Sequence, residues 1–234
     1  MANDAPKKVP SGIPGLDKLL GGGFAENSLI MVSGGTGTGK SLLTLQFLYY
    51  GATKLNEPGV LISLEQEPGK VIETAKQFGW DFESLIEKKM IIIVAPSIYK
   101  FETLEEEISI AVKKVKAKRL VIDSYTIAST YFLKMEENRR ALLLLSKKIQ
   151  KLDCVSMAIS DVPEGQSGYS ISGFEEFVVD GVLSLSLLSD TSRNVFTRAI
   201  FVRKMRHADH SLKRVPFKIT NSGCVVYPTE ELFE

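Results

Sequence analysis

The fold is decided by residues 29–48, which read LIMVSGGTGTGKSLLTLQFL. Residues 29–32 are apolar and predict a buried strand, and residues 40–54 have the apolar spacing of a helix, with Gly51 near its end. Between them, residues 34–41 match the pattern G-x-x-x-x-G-K-[ST]. Glycines let such a loop turn its N–H groups inward, and the start of the helix adds partial positive charge. The segment therefore predicts a loop that holds the phosphates of a nucleotide.

The side chains of this phosphate loop predict which residues bind the phosphates and which binds the metal. We expect Lys40 to reach the β- and γ-phosphates of ATP, with a catalytic role, and the Ser41 hydroxyl to ligate Mg²⁺. The residues of the loop expected to bind the nucleotide are Gly35, Thr36, Gly37, Thr38, Gly39, Lys40, Ser41 and Leu42. A glycine-rich turn that matches by chance is the alternative, and the strand and helix on either side argue against it.

Apolar runs alternate with helical patterns up to about residue 160. Further buried strands are predicted at 60–64, 90–94, 120–122 and 155–160, and helices at 68–78, 103–116 and 136–151. This alternation predicts an α/β fold with a mostly parallel sheet covered on both sides. Strands joined by short turns then follow at 178–188, 196–204, 215–220 and 224–227, and predict an antiparallel extension of the same sheet. With no linker or repeat, residues 1–234 predict a single domain.

Two carboxylates follow predicted strands. Asp123 ends the strand at 120–122, at the edge where open α/β sheets bind ligands, and we expect it to hold Mg²⁺ directly or through water. Glu65 ends the strand at 60–64 and is the candidate general base that orients and deprotonates a water. Alternatively, Glu65 and Glu67 only cap the helix that begins at Pro68, and for Glu67 this structural role is the favoured one.

Composition narrows the class of protein. Hydrophobic residues make up 44% and charged residues 24%, and the formal net charge of +1 lacks the strong basic excess of a dedicated nucleic-acid binder. The polar first ten residues do not resemble a signal peptide, and the apolar runs are too short to span a membrane. The 2 cysteines are unclustered and fit a reducing compartment. We therefore expect a cytoplasmic protein without a membrane partner.

Several further segments resemble the KaiC-like branch of the RecA superfamily. They are residues 9–23 (VPSGIPGLDKLLGGG), 63–66 (SLEQ) with 78–81 (FGWD), 172–182 (SGFEEFVVDGV) and 202–206 (VRKMR). The resemblance covers nearly the whole chain. It implies a RecA-like P-loop core, ATP and Mg²⁺ as ligands, and a homo-oligomer, a hexameric ring, with ATP at its subunit interfaces.

Three departures from the KaiC clock proteins matter. Those proteins carry two such domains in tandem, and this sequence has one. Their phosphorylated tail segment has no counterpart here, and the second of their adjacent glutamates is replaced by Gln66. The closer likeness is to a single-domain archaeal or bacterial KaiC-like protein, sometimes described as a RadA paralogue.

The resemblance also assigns roles near the C-terminus. It implies that the segment Lys204-Met205-Arg206 contacts the ATP of a neighbouring subunit, with Lys204 and Arg206 acting on its γ-phosphate. It also places His210 near the nucleotide. The alternative is a solvated basic turn. His207 and His210 lack the partners of a transition-metal site, so none is expected.

Three functions remain open at this point. The first is an oligomeric ATPase that uses Mg-ATP to switch ring conformation for a protein partner. The second is a recombinase-paralogue that binds single-stranded DNA in repair and has weak ATPase activity. Its loops would be 124–135, where Tyr125, Tyr131 and Phe132 could stack on bases beside Lys134, and 161–172, whose acidic character opposes phosphate. Nucleic acid is therefore not favoured. The third is a nucleotide-binding scaffold without activity.

Overall fold

The structure, a computed structural model, describes residues 7–96, 101–129, 135–163, 165–166, 168–190, 195–206 and 208–232. Its strands are β1 (Lys8–Val9), β2 (Phe24–Ala25), β3 (Leu29–Gly34), β4 (Gly59–Ser63), β5 (Ile91–Val94), β6 (Arg119–Asp123), β7 (Val155–Asp161), β8 (Gly181–Asp190), β9 (Val195–Met205), β10 (Arg214–Thr220) and β11 (Gly223–Val226). Its helices are α1 (Leu16–Leu19), α2 (Lys40–Lys54), α3 (Pro68–Gln77), α4 (Phe82–Glu87), α5 (Phe101–Val115), α6 (Tyr125–Ser129), α7 (Met135–Ile149) and α8 (Glu175–Val178).

One large sheet carries the fold. Within the described residues it has 9 strands in the order β11-β10-β9-β8-β3-β7-β6-β4-β5, and β1 pairs separately with β2. The strands from β8 to β5 are parallel to one another, and β9, β10 and β11 run antiparallel. The α/β class with antiparallel C-terminal strands is therefore confirmed. We call the edge at which β3, β4, β6 and β7 end the carboxyl edge, and the opposite edge the amino edge.

The antiparallel extension begins one strand later than predicted. β8 pairs in parallel with β3, in the register Ile30↔Gly181. The reason lies in the connection: residues 162–180 lead from β7 back to the amino edge, so the chain re-enters the sheet in the direction of β7. Only the short turns after β8 reverse the chain.

Helices cover both faces of the parallel strands, and each strand divides its side chains between them. On β3, Ile30 and Val32 pack with α1, α2, α3 and α4, whereas Leu29 and Met31 pack with α5, α6 and α7. This alternation is the two-residue period of a strand, and both sides are apolar because both are buried. Such a strand is held rigidly, which fixes the loop that leaves it.

A buried arginine joins α2 to the start of β6. This residue, Arg119, donates from Nε to Glu57 Oε2 (2.7 Å). Its Nη1 donates to the carbonyl of Phe47 (2.9 Å) and its Nη2 to the carbonyl of Pro10 (2.9 Å). Its guanidinium also lies 4.3 Å from the centre of the Phe47 ring. A Cβ atom added to Gly51 of α2 would lie 2.3 Å from Arg119 Cδ, so this helical position requires glycine.

The short elements were not predicted. They are β1, β2, α1, α4, α6 and α8, none longer than 6 residues. No helix in the described part of the chain is long and apolar enough to cross a membrane.

Candidate nucleotide-binding site

The predicted phosphate loop connects β3 to α2 at the carboxyl edge. Gly39 precedes the helix with φ of +102°, in the left-handed region that glycine favours. The Thr38 hydroxyl donates to the carbonyl of Gly35 (2.8 Å), which closes the loop on itself. The backbone N–H groups at the start of α2 have no earlier helical turn to bond to, so they can bind an anion here. The prediction of a strand, loop and helix in this order is confirmed.

Lys40 lies folded back into the loop. Its side chain is only 9% exposed, and its Nζ donates to the carbonyl of Gly35 (2.8 Å) and pairs with Asp161 Oδ1 (3.1 Å). Both partners are oxygen atoms of the protein itself. Phosphate oxygens bound in the loop would compete with them for the same ammonium group.

Asp123 and Glu65 meet beside the loop, as their strands predict. Ser63 of β4 is paired with Asp123 of β6, and the N–H of Leu64 donates to the carbonyl of Asp123 (2.6 Å). The hydroxyl of Ser124 donates to Glu65 Oε1. Glu65 is otherwise exposed, so a carboxylate oxygen faces solvent next to the half-buried Asp123. Glu67 occupies the residue before α3, as predicted, but its side chain makes no capping hydrogen bond.

The surroundings of Asp123 raise the pKa of its carboxyl group. The pKa of Asp123 is raised from 3.8 to about 6, mainly by burial and in addition by the nearby charges of Glu65 and Asp161. A hydrogen bond with Ser41 and the charge of Lys40 act in the opposite direction. The Ser41 hydroxyl and the Asp123 carboxylate are thus in contact. Oxygen donors of this kind are the ones that Mg²⁺ prefers, so the two residues predicted to hold the metal fit it.

Two residues at this site were not assigned from the sequence. Asp161 ends β7 directly beside Gly34, and its N–H donates to the hydroxyl of Thr126 (2.8 Å). Arg198 of β9 donates from Nε (3.3 Å) and Nη2 (3.2 Å) to the carbonyl of Gly37 at the tip of the phosphate loop. Asp161 follows an apolar strand as Asp123 does, so the same rule would have found it. No local signal marks Arg198.

A cavity of about 550 Å³ opens beside the phosphate loop. Its walls are formed by Gly35, Thr36 and Thr38 on one side, by Val162, Pro163, Gln166, Gly168 and Tyr169 after β7 on another, and by β8 below. The cavity is large enough for a small organic ligand. The loop nominated as a DNA contact therefore lies against the nucleotide loop.

Lys204, Met205 and Arg206 lie at the opposite edge of the sheet. Met205 is level with Gly181, which is level with Ile30 at the start of β3, whereas the phosphate loop begins after Gly34. Four residues of strand separate the two levels, or roughly 13 Å at the usual rise of about 3.3 Å per residue. Lys204 and Arg206 therefore do not join the phosphate loop of their own chain.

The cations at the amino edge are held by carbonyl oxygens. Lys204 Nζ donates to the carbonyls of Glu176 (2.9 Å) and Val179 (2.6 Å), and Arg206 Nη2 donates to the carbonyl of Phe177 (3.0 Å). Burial and the charge of Arg206 lower the pKa of Lys204. These contacts differ from those of a solvated basic turn, because they fix both side chains against α8.

His210 lies near α1, away from the phosphate loop of its own chain. The following residue, Ser211, donates its N–H to the carbonyl of Leu19 (2.9 Å), and His210 Nε2 is buried without a hydrogen-bond partner among the described residues. His207 lies outside the described residues. In the described part of the chain no three potential metal-ligating side chains cluster.

Of the aromatic residues nominated for base stacking, one can be placed. Tyr125 is fully buried, and its hydroxyl bonds to the carbonyl of Leu142 (3.0 Å) and to Ser146 (2.8 Å). It cannot stack on a base, so that suggestion was wrong: the residue starts a short helix whose first side chain faces the core. Tyr131, Phe132 and Lys134 lie outside the described residues.

Comparison with known proteins agrees with this geometry. A model of the family described as "ATPase: KaiC" matches residues 9–231. The chain belongs to the KaiC family of ATPases. Because the match spans one KaiC domain with an intact phosphate loop, the RecA-like P-loop core inferred from the sequence is confirmed.

Similar proteins occur in other microorganisms. The chain is 37% identical to a UPF0273 protein of Methanocaldococcus jannaschii, across 97% of this chain and 98% of the relative. It is 34% identical to a UPF0273 protein of Thermotoga maritima, across 96% and 97%. A crystal structure of a KaiC-like protein from Pyrococcus horikoshii matches with a TM-score of 0.88 and 36% identity, over 95% of this chain and 100% of that one.

Proposed function

We propose that this protein binds and hydrolyses Mg-ATP as a ring-shaped homo-oligomer in the cytoplasm, and that hydrolysis switches the ring for a protein partner. The observation that carries the proposal is the division of the site. Lys40, Ser41, Asp123 and Glu65 gather at the carboxyl edge, and the anchored cations Lys204 and Arg206 stand at the amino edge. Only a second subunit could bring the two together.

The residues of one chain supply binding and proton transfer. The loop N–H groups and Lys40 would bind the β- and γ-phosphates, and Ser41 and Asp123 would hold Mg²⁺, which neutralises charge on the phosphate oxygens when bound. Glu65 would accept the proton of a water whose oxygen attacks the γ-phosphorus as the bond to the leaving ADP oxygen breaks. The hydrogen bond from Ser124 keeps Glu65 pointed toward Asp123.

A neighbouring chain would supply the remaining positive charge. Lys204 and Arg206 are already fixed against α8, so they could be presented to an adjacent phosphate loop without further ordering. Cations that act across an interface on a transferring phosphate can raise the rate on the order of a thousandfold or more. The exposed Phe177 beside them would add an apolar contact to the same interface.

The assignment of Glu65 is tested by Glu65→Gln. We expect the variant to bind ATP with unchanged affinity but to hydrolyse it at least about a hundredfold more slowly, because the amide cannot accept the proton. Glu67→Gln is the matched control, since Glu67 is an exposed neighbour without a side-chain capping contact. Phosphate release and binding of a fluorescent ATP analogue measure the two effects. Normal hydrolysis by Glu65→Gln would show that Glu65 is not the base.

The shared site is tested by mixing Arg206→Ala and Lys40→Ala subunits. Each parent should be nearly inactive. In an equal mixture about a quarter of the interfaces would join an intact phosphate loop to an intact Arg206, so activity should rise to about a quarter of wild type. Activity equal to the mean of the two parents would place the whole site in one chain.

A second candidate function, binding of single-stranded nucleic acid, is favoured by three cation–ring pairs. On the C-terminal strands, Arg203 lies 5.5 Å from the Tyr169 ring, Arg214 lies 6.0 Å from the Phe201 ring, and Lys218 lies 5.2 Å from the Tyr227 ring. Cations interleaved with rings suit a stacked, negatively charged strand. The test is salt-dependent binding of an oligonucleotide, with ATPase activity measured with and without it. No binding at low salt would remove this candidate.

A further inference from the structure

Asp180 lies between Arg206 and β3, the strand that leads into the phosphate loop. It lies between α8 and β8 at the amino edge, and its side chain is only 17% exposed. Its Oδ2 accepts the N–H of Leu29 (3.0 Å) and the Nε2 of Gln150 (2.7 Å). Its Oδ1 faces Arg206 Nη1 at 3.6 Å. One carboxylate oxygen is thus fixed by the fold, and the other faces the cation.

The backbone of Asp180 repeats the same connections. Its N–H donates to the carbonyl of Leu29 (2.8 Å), and its carbonyl accepts the N–H of Arg206 (2.8 Å). Side chain and main chain therefore both join Leu29, the first residue of β3, to Arg206. The two hydrogen bonds to Oδ2 restrain the carboxylate, and the main-chain bonds fix the backbone that carries it.

The guanidinium of Arg206 is consequently held from one side. Asp180 contacts Nη1 and the carbonyl of Phe177 accepts from Nη2, while the side chain remains 44% exposed. Among the described residues these contacts lie on the side facing the fold, and a guanidinium has further N–H donors that an external anion could use. An arginine presented in this way is oriented before it meets a partner.

We infer that Asp180 is a positioning residue, which orients Arg206 toward the nucleotide of the neighbouring subunit. The inference rests on the proposed function, since it supposes that Arg206 acts across an interface. Through Leu29, Asp180 could instead act only on the phosphate loop of its own chain. The two roles predict opposite results in mixed assemblies.

The test uses Asp180→Asn in the full-length protein. An asparagine oxygen can still accept the N–H of Leu29, but the negative charge facing Arg206 is lost. Because misplacing a catalytic group by about 1 Å can cost on the order of a hundredfold, we expect kcat to fall at least about tenfold. The KM for ATP should stay within about twofold, since binding depends on the phosphate loop. Asp153→Asn, at an exposed ion pair with Lys118, is the control and should leave both unchanged.

Mixing then decides in which chain Asp180 acts. Asp180→Asn subunits retain an intact phosphate loop, and Lys40→Ala subunits retain an intact Arg206. An equal mixture should therefore recover about a quarter of wild-type activity, as a heterologous interface predicts. No recovery here, with recovery in the Arg206→Ala and Lys40→Ala mixture, would overturn the role of Asp180 and leave the shared site standing. No recovery in either mixture would overturn both.

A second measurement distinguishes a positioning role from a folding defect. Asp180→Asn introduced into Arg206→Ala should lower the rate no further, because a residue that acts through Arg206 has nothing left to position. An added loss would show a different role. If Asp180→Asn is unstable in thermal unfolding, Gln150→Ala removes one of the anchoring donors and should show the same recovery on mixing. Wild-type protein without ATPase activity would overturn both proposals together.

Discussion

Asp123 is a carboxyl group that the fold partly shields from water. Its burial and its two acidic neighbours explain why its pKa rises to about 6. A group with a higher pKa in the folded protein binds its proton more tightly when folded, so it favours folding only while it is protonated. Its contribution is full below about pH 4 and is lost as the pH rises through about 6.

The stability of the nucleotide-free, magnesium-free protein should show this loss. The difference between 3.8 and about 6 corresponds to roughly 3 kcal/mol. Relative to Asp123→Asn, the wild type should lose about 2 kcal/mol of this stability between about pH 4.5 and about pH 7.5, because the remainder is already lost below pH 4.5. Urea unfolding of both proteins at the two pH values measures the effect. Parallel pH profiles would mean that Asp123 titrates normally.

At the residue scale, what the sequence could predict depended on local pattern. Lys40 and Ser41 follow from a contiguous loop, and Asp123 and Glu65 follow from their places at strand ends. Arg198 contacts Gly37 from a strand 161 positions away, and no local periodicity records such a contact. The prediction that Tyr125 stacks on bases was wrong for a related reason, because a hydrophobic residue after a strand can face either a loop or the core.

At the scale of elements, Gly51 shows packing overriding helix propensity. Alanine forms helices better than glycine by about 1 kcal/mol, so propensity alone predicts that Gly51→Ala stabilises the protein. The added Cβ would instead meet Arg119 at 2.3 Å, and three hydrogen bonds hold that side chain in place. We expect a loss of about 1–3 kcal/mol in the free energy of unfolding.

Gly69 of α3 provides the matched control. Apart from its chain neighbours and the backbone of its own helix, no atom of the described residues lies within 4 Å of the position that its Cβ would occupy, so Gly69→Ala should be neutral or stabilising by up to about 1 kcal/mol. Denaturant unfolding of both variants compares them directly. A Gly51→Ala protein as stable as Gly69→Ala would mean that Arg119 can move at little cost.

Length explains which elements the sequence could predict. Helices of 10 and 15 residues and strands of 4 or more were found, because each carries several periods of its pattern. Helices of 4–6 residues complete little more than one turn and leave no such signal. The direction of β8 was missed because its apolar residues read the same in a parallel or an antiparallel pair.

At the scale of the whole molecule, Phe177 tests the proposed interface. It is 66% exposed, and its carbonyl holds Arg206. Burying such a ring against a neighbour contributes about 2 kcal/mol, so Phe177→Ser should weaken Mg-ATP-dependent assembly roughly thirtyfold. The unfolding temperature of the unassembled chain should barely change, because an exposed ring contributes little to the fold.

Ile110 is the control for this prediction. It is 65% exposed but lies on α5, beside β5 at the far end of the sheet from β9. Ile110→Ser should leave assembly unchanged when both variants are followed by light scattering against protein concentration. Equal weakening by the two substitutions would point to a general loss of surface hydrophobicity rather than to the proposed contact.

The phosphate loop and the Lys204–Arg206 pair lie at opposite edges of one sheet. This placement has a genetic consequence. If neighbouring chains complete the site, two inactive alleles defective at different edges would complement each other in one cell. A single defective allele would disable sites formed with healthy copies and would be partly dominant. The phenotype of a mutation would then depend on which other copy of the gene the cell carries.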